Sequence, residues 1–123
     1  MSRVKPIIKE RETDIVRSIL DFLCFHDIFA WRNNTGAYAG AYLSKGGAIH
    51  RRFIRFGHKG SADILGCLPD GKFLAIEVKT HIGKLSPDQK EFLARIEENN
   101  GMSFVATCIE DTSDYLESYL KHK

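Results

Sequence analysis

No stretch of this sequence is apolar for long enough to cross a membrane, and its opening, "MSRVKPIIKERETD", lacks the apolar core of a signal peptide. A cytoplasmic location with no membrane partner is the expectation. Cysteine is scarce as well. Cys24, Cys67 and Cys108 are widely separated and odd in number, which argues against a disulfide framework. Neither CxxC nor HxxxH spacing occurs among these cysteines and the histidines, so nothing indicates a zinc cage. Free cysteine is commonly buried, and all three are expected as reduced core thiols. Internal repeats and low-complexity linkers are also missing.

The most informative shortage is of acid. Between Asp27 and Asp63 there is no carboxylate at all, whereas Arg32, Lys45, Arg51, Arg52, Arg55 and Lys59 fall there, with His50 and His58. The formal net charge is only +2, so the distribution matters more than the total. One reading is a sheet edge protected from aggregation by cations. The other is a polyanion-binding surface, favoured because a neutral solvated face would normally interleave both signs.

What is present fits one folded unit spanning residues 1–123. That length buries a core around one sheet but is too short for two ordinary domains. A hydrophobic share of 43% with 28% charged residues excludes disorder and fibrous architectures. Ile15, Val16, Ile19, Phe22, Leu23 and His26 recur at helical spacing and predict a first helix over residues 8–27. "IFAWRNN" reads as a strand with Trp31 buried. The glycine-rich segment 35–48 reads as a mobile loop or irregular hairpin, where Tyr38 and Tyr42 either pack under the loop or stack on bases. Residues 49–57 have strand character. "SPDQKEFLARIEENNG" is a punctuated helix, with Ser86 as N-cap, Pro87 in the first position and Gly101 as a left-handed stop. A buried strand at 102–109 and an amphipathic helix at 111–120 follow. The expected fold is α/β, a mixed sheet flanked by helices, with the strand after the second helix parallel to the one before it.

Residues 61–80 pose a physical problem. They read as a hairpin, two apolar runs joined by Pro69-Asp70-Gly71, yet Asp63 interrupts the first run and Glu77 and Lys79 the second. Charges on a half-buried sheet are costly unless something offsets them. The turn residues favour a type I turn with a left-handed glycine, which sets Leu68 opposite Lys72. Pairs then lie at equal distances from Asp70, and Asp63 falls directly across from Glu77. A two-residue loop would shift the register by one and break this pairing. Like charges facing each other destabilise a sheet, so either a cation lies between the carboxylates or one of them is protonated.

Two further polar residues continue apolar stripes toward the same place. Glu12 extends the stripe of the first helix, and Gln89 precedes Phe92, Leu93 and Ile96 on the second. Each has an ordinary alternative: Glu12 favours the helix dipole, and Gln89 completes a capping box with Ser86. Converging carboxylates with one lysine suit Mg²⁺ or Mn²⁺ rather than zinc. Such an ion activates water and polarises a phosphoryl oxygen, while the basic segment holds an anionic substrate.

These residues resemble the PD-(D/E)XK nuclease superfamily, and within it the VRR-NUC domain. Asp63 followed by Glu77-Val78-Lys79 is similar to the superfamily's divided signature. "RNNTGA", "GHKGSADILG" and "IEVKTHIGKLSPDQ" look like the VRR-NUC segments in their usual order, with Ala62 where proline is more usual. The resemblance implies a restriction-endonuclease-like core and a Mg²⁺- or Mn²⁺-dependent endonuclease acting on DNA, often branched or flapped, commonly as a homodimer. It implies metal ligation by Asp63, Glu77, the Val78 carbonyl and, directly or through water, Glu12. Lys79 would orient the attacking water, and Gln89 would position Lys79 or the phosphate. Arg32, Asn33, Lys45, Arg51, Arg52, Arg55 and Lys59 are the candidate nucleic-acid contacts. A non-catalytic DNA-binding module on the same scaffold, or a nuclease of duplex ends, would carry the same basic surface.

Overall fold

In a computed structural model the described residues are 11–121, except 35, 44 and 82, with backbone alone for 36–42 and 50–56. The body is a four-stranded sheet ordered β1-β4-β5-β6, built from β1 (Phe29–Arg32), β4 (Ile64–Cys67), β5 (Phe73–Val78) and β6 (Met102–Ala106). β1, β4 and β5 are antiparallel neighbours, while β5 and β6 run parallel. Helix α2 (Pro87–Glu98) supplies the crossover that a parallel pair requires. The sheet is therefore mixed and flanked by helices, as expected.

Strand alternation divides the core into two layers. Leu74, Ile76 and Val78 on β5 join Ile15, Val16, Ile19 and Leu23 of α1 (Glu12–Phe25) in the larger core. Ala75, on the opposite face, packs with Leu93 of α2 and with Ala62. Ile19, Ile64, Leu74 and Ile76 are fully buried, each contributing about 1.5–3 kcal/mol of transfer free energy.

Both long helices end in the same way. In α2, Asn100 N–H donates to Glu97 O and Gly101 N–H to Ile96 O, a Schellman closure, and Asn100 takes the positive φ of 66°. Gly101 is thus not the left-handed residue; a Cβ there would come within 2.6 Å of Ile96 Cγ2, so close packing requires the glycine. In α1 the equivalent left-handed residue is Asp27, at φ 56°.

Four other expectations are corrected. Helix α1 starts at Glu12, with extended Arg11 as its N-cap, and ends at Phe25 rather than at 27; residues 8–10 of the expected span lie outside the described residues. Of the two readings of segment 35–48, the hairpin is the nearer, but it is regular: β2 (Gly36–Leu43) pairs in continuous antiparallel register with β3 (Ile49–Phe56) as a separate two-stranded sheet. The closing helix is split into α3 (Ile109–Tyr115) and a 3₁₀ turn, Glu117–Tyr119. The cysteines are free, but Cys24 and Cys67 are exposed, off the covered parts of α1 and β4, and Cys108 is half-buried at the N-cap of α3.

Trp31 also departs from the expectation, being 42% exposed. It lies on β1, the edge strand, and α2 covers the middle of the sheet without reaching it. Alternation reveals which face a residue occupies; it carries no information on how far the covering layer extends.

Candidate active site

The central hairpin decides the geometry. Leu68 N–H donates to Lys72 O at 2.8 Å, Gly71 N–H donates to Leu68 O at 2.8 Å, and Gly71 has φ 93°. The three-residue loop is the one the Pro-Asp-Gly turn predicts. Ile64 consequently pairs with Ile76 and Leu65 with Ala75, so the next rung sets Asp63 against Glu77. β1 extends this rung: Asn33 N–H donates to Asp63 O at 2.7 Å.

Asp63 Oδ2 accepts a hydrogen bond from Val78 N–H at 2.8 Å, which fixes the aspartate at the end of β5. Glu77 is buried, only 2% exposed, on the α2 side of the sheet. Its Oε1 accepts from Gln89 Nε2 at 3.2 Å, while its Oε2 is buried with no hydrogen-bond donor. Burial first, and then the hydrogen bond and charge of Asp63, push the Glu77 carboxyl up to about 8; Lys79 pulls it down and Glu12 pushes it slightly further up. A hydrogen bond between the two carboxyls requires a proton on one of them. Once both are ionised, Oε2 faces a like charge without a donor.

Gln89 fulfils both of its readings at once. Ser86 N–H donates to Gln89 Oε1 at 2.8 Å and Gln89 N–H donates to Ser86 Oγ at 3.2 Å, completing the capping box. That leaves Nε2 free to reach Glu77. The cap therefore presets the side chain that touches the acidic pair, and Pro87 starts the helix at the point that brings it there. Lys79 is half-buried beyond Glu77 on the same face, its N–H donating to Ala106 O at 3.0 Å. Gly83 closes a turn over its stem, with the position of an added Cβ 3.0 Å from Lys79 Cδ.

Glu12 differs from the inward-pointing residue that its stripe position predicts. It is exposed at the first turn of α1, and it acts on Glu77 through its charge. Among the described residues, no group of three or more His, Cys, Asp or Glu is gathered as a metal cage. The acidic site is a facing pair.

The basic residues separate. Arg32 lies across the sheet from the pair, lining a shallow pocket of about 220 Å³ with Thr13, Val16, Arg17, Leu20 and Asp21. Asn33 Nδ2 donates to Ser61 Oγ at 2.6 Å and to Ala62 O at 3.0 Å, so its amide clasps the strand that carries Asp63. Lys59 pairs with Asp88 at 3.3 Å; a balancing carboxylate is present after all, brought from α2. Lys45 is exposed between β2 and β3. The side chains of Arg51, Arg52 and Arg55 lie outside the described residues; in the hairpin register these residues pair with Ala41, Gly40 and Ala37.

Gly60 and Ser61 position the site without having been singled out in the sequence. Gly60 has φ 78°, and a Cβ there would lie 2.5 Å from the Asp88 backbone. Only glycine allows the segment before Asp63 to press against the start of α2. Gly60→Ala is expected to lower stability by about 2 kcal/mol or more, measured by urea unfolding. A variant as stable as the parent would mean the segment relaxes freely.

A mixed sheet with flanking helices, two acidic residues facing across adjacent strand ends and a lysine two positions after the second together define a restriction-endonuclease-like nuclease core. The chain belongs to the VRR-NUC domain family, whose model matches residues 9–108, and with it to the PD-(D/E)XK nuclease superfamily. It is a nuclease-type, DNA-processing domain. No curated protein matches the chain. None of the described helices is long and apolar enough to cross a membrane.

Proposed function

We propose that this domain is a Mg²⁺- or Mn²⁺-dependent endonuclease that hydrolyses phosphodiester bonds in branched DNA, such as Holliday junctions or flaps. The observation that carries this reading is the orphaned, buried Oε2 of Glu77 beside Asp63, with Lys79 on the same face. Two facing carboxylates are relieved either by a proton shared between them or by a cation, and only the cation leaves both ionised for chemistry near neutral pH. The oxygen-only donor set fits a hard divalent ion: Asp63, Glu77 and the Val78 carbonyl would hold it, with Glu12 adding charge directly or through water. Such an ion supplies Lewis acidity toward the phosphoryl oxygen and toward water.

The chain's own groups do the remaining work. Lys79 orients the attacking water and stabilises the charge that develops on the phosphate. Gln89, anchored by the helix cap, holds Glu77 Oε1 so that Oε2 stays turned toward Asp63. Two copies of the chain acting as a homodimer would meet the related strands of a junction symmetrically, which favours a branched substrate.

The test is a panel of four-way junction, flap, linear duplex and plasmid DNA, incubated with and without magnesium. Metal-dependent nicking with preference for the branched substrates is expected; binding without cleavage under all metals would instead identify a non-catalytic module. Replacing Arg51, Arg52 and Arg55 together is expected to weaken DNA binding and to reduce the slope of log affinity against log salt by about 2–3, since each phosphate contact releases counterions. An unchanged slope would remove these arginines from the contact surface.

A further inference from the structure

On the same face of the sheet as the acidic pair, the side chains of Phe29 and Trp31 lie against each other, ring centroids 5.2 Å apart, yet remain 70% and 42% exposed. Their place follows from the register. Trp31 pairs with Leu65, and Phe29 with Cys67, which in turn pairs with Phe73. Leu65 and Asp63 are two residues apart on one strand, so the Trp31 rung lies about 7 Å along the strands from the Asp63–Glu77 rung. Beyond Phe73 the surface continues into an open groove of about 370 Å³ lined by His58, Phe73, Phe92, Arg95, Ile96 and Asn99.

We infer that Trp31, supported by Phe29, is a stacking platform for an unpaired nucleobase beside the scissile phosphate, so that the site selects DNA with a single-stranded segment. This rests on the nuclease reading above. Three observations favour a nucleic-acid occupant. The platform lies on the same face as the acidic rung, two residues along the strands from it. The adjoining groove carries Arg95 and His58, which complement phosphates. The exposed area is also small: two rings of about 150–250 Å² each, only partly exposed, fall well below the ~800 Å² per partner of a stable protein interface. Bases in a continuous duplex are stacked on one another and offer no free face, whereas splayed single-strand bases stack readily on aromatic rings.

Trp31 is the sequence's single tryptophan, so its own fluorescence reports the contact. The full-length protein, kept in EDTA to prevent cleavage, is titrated with a twelve-nucleotide oligothymidylate and with a blunt duplex of the same length, while anisotropy of a labelled oligonucleotide follows binding. Saturation with the single strand is expected to quench emission by about half or more, and the duplex to leave it nearly unchanged. Trp31→Ala is expected to weaken single-strand binding roughly 5- to 100-fold, the range of one lost base stack, with Trp31→Phe recovering most of it.

Bound single strand without quenching, equal quenching by duplex, no single-strand binding, or a Trp31→Ala variant of unchanged affinity would each overturn the inference. A Trp31→Ala protein that turns monomeric while binding single strands normally would overturn it too, assigning the rings to a second copy. Phe29→Ala keeps the fluorophore and is expected to reduce quenching, which tests the platform if Trp31→Ala fails to fold. The nuclease reading fails separately: quenching without cleavage of any substrate overturns that reading alone, and cleavage without quenching overturns only the platform.

Discussion

Lys79→Ala is expected to reduce DNA cleavage about 1,000-fold or more while changing the melting temperature and the DNA affinity little. Lys79 is half-buried, and its backbone N–H alone completes the pairing with Ala106, so the side chain can be removed without breaking the sheet. Its cationic head acts on Glu77, lowering that carboxyl's proton affinity, and so lies within electrostatic reach of the acidic pair. Removing one preorganised group that stabilises transition-state charge typically costs 100- to 1,000-fold, and the loss of water orientation adds to this. Lys79→Arg is expected to restore only a small part of the rate, since a planar fork does not substitute for a compact ammonium. Single-turnover cleavage of a junction or flap substrate, with affinity measured separately in EDTA, checks the prediction. Retention of more than a tenth of the parental rate in Lys79→Ala would refute the assigned role.

Glu77→Gln is expected to abolish cleavage and, without metal, to make the protein more stable above pH 8. The Glu77 carboxyl sits at about 8 in the folded chain against its ordinary 4.5. Between those values the folded state holds a proton that the unfolded state releases. Stability is therefore full below about pH 4.5 and is lost as pH rises through 8. The loss is on the order of a few kcal/mol, because an ionised Glu77 is left buried beside Asp63. Glutamine keeps an oxygen for Gln89 Nε2 and offers a permanent N–H toward Asp63, so its profile across this window is expected to be flat. Saturating Mg²⁺ should likewise remove the parental decline, by neutralising the pair and by mass action on the folded state. Urea unfolding at intervals from pH 5 to 9, with and without magnesium, decides the matter; parallel curves for the two proteins would show that the pair carries no strain.

Much of this site was legible without coordinates because its determinants are local. Pro69-Asp70-Gly71 dictates a loop of three residues, and loop length alone settles which residues face each other along the hairpin. The Ser86 to Gln89 spacing dictates a capping box, and the cap aims Nε2 at Glu77. Where expectation and structure part over burial and pairing, the missing quantity is the extent of a neighbouring layer or what the crossover brings near. Glu12 occupies a stripe position, yet α1 starts at the rim of the sheet and leaves it in solvent. Trp31 and Cys67 are spaced as core residues but lie beyond the edge of α2. Lys59 has Asp63 as its nearest carboxylate in sequence, yet it pairs with Asp88, which the crossover helix brings to it.

The sequence by itself determined the α/β class, the antiparallel register of the hairpin, the parallel strand after α2 and the collision of Asp63 with Glu77. Periodicity, turn chemistry and capping act over a few residues and do not depend on distant packing. Tertiary structure alone decided the burial of Glu77 Oε2, the separation of Arg32 from the acidic face and the exposure of the Phe29–Trp31 pair. The burial and the exposure depend on how far one layer overlaps another, which the summed shape of the packed side chains sets; the place of Arg32 depends on the pairing of β1 with β4, which puts it beside Ile64 on the other face.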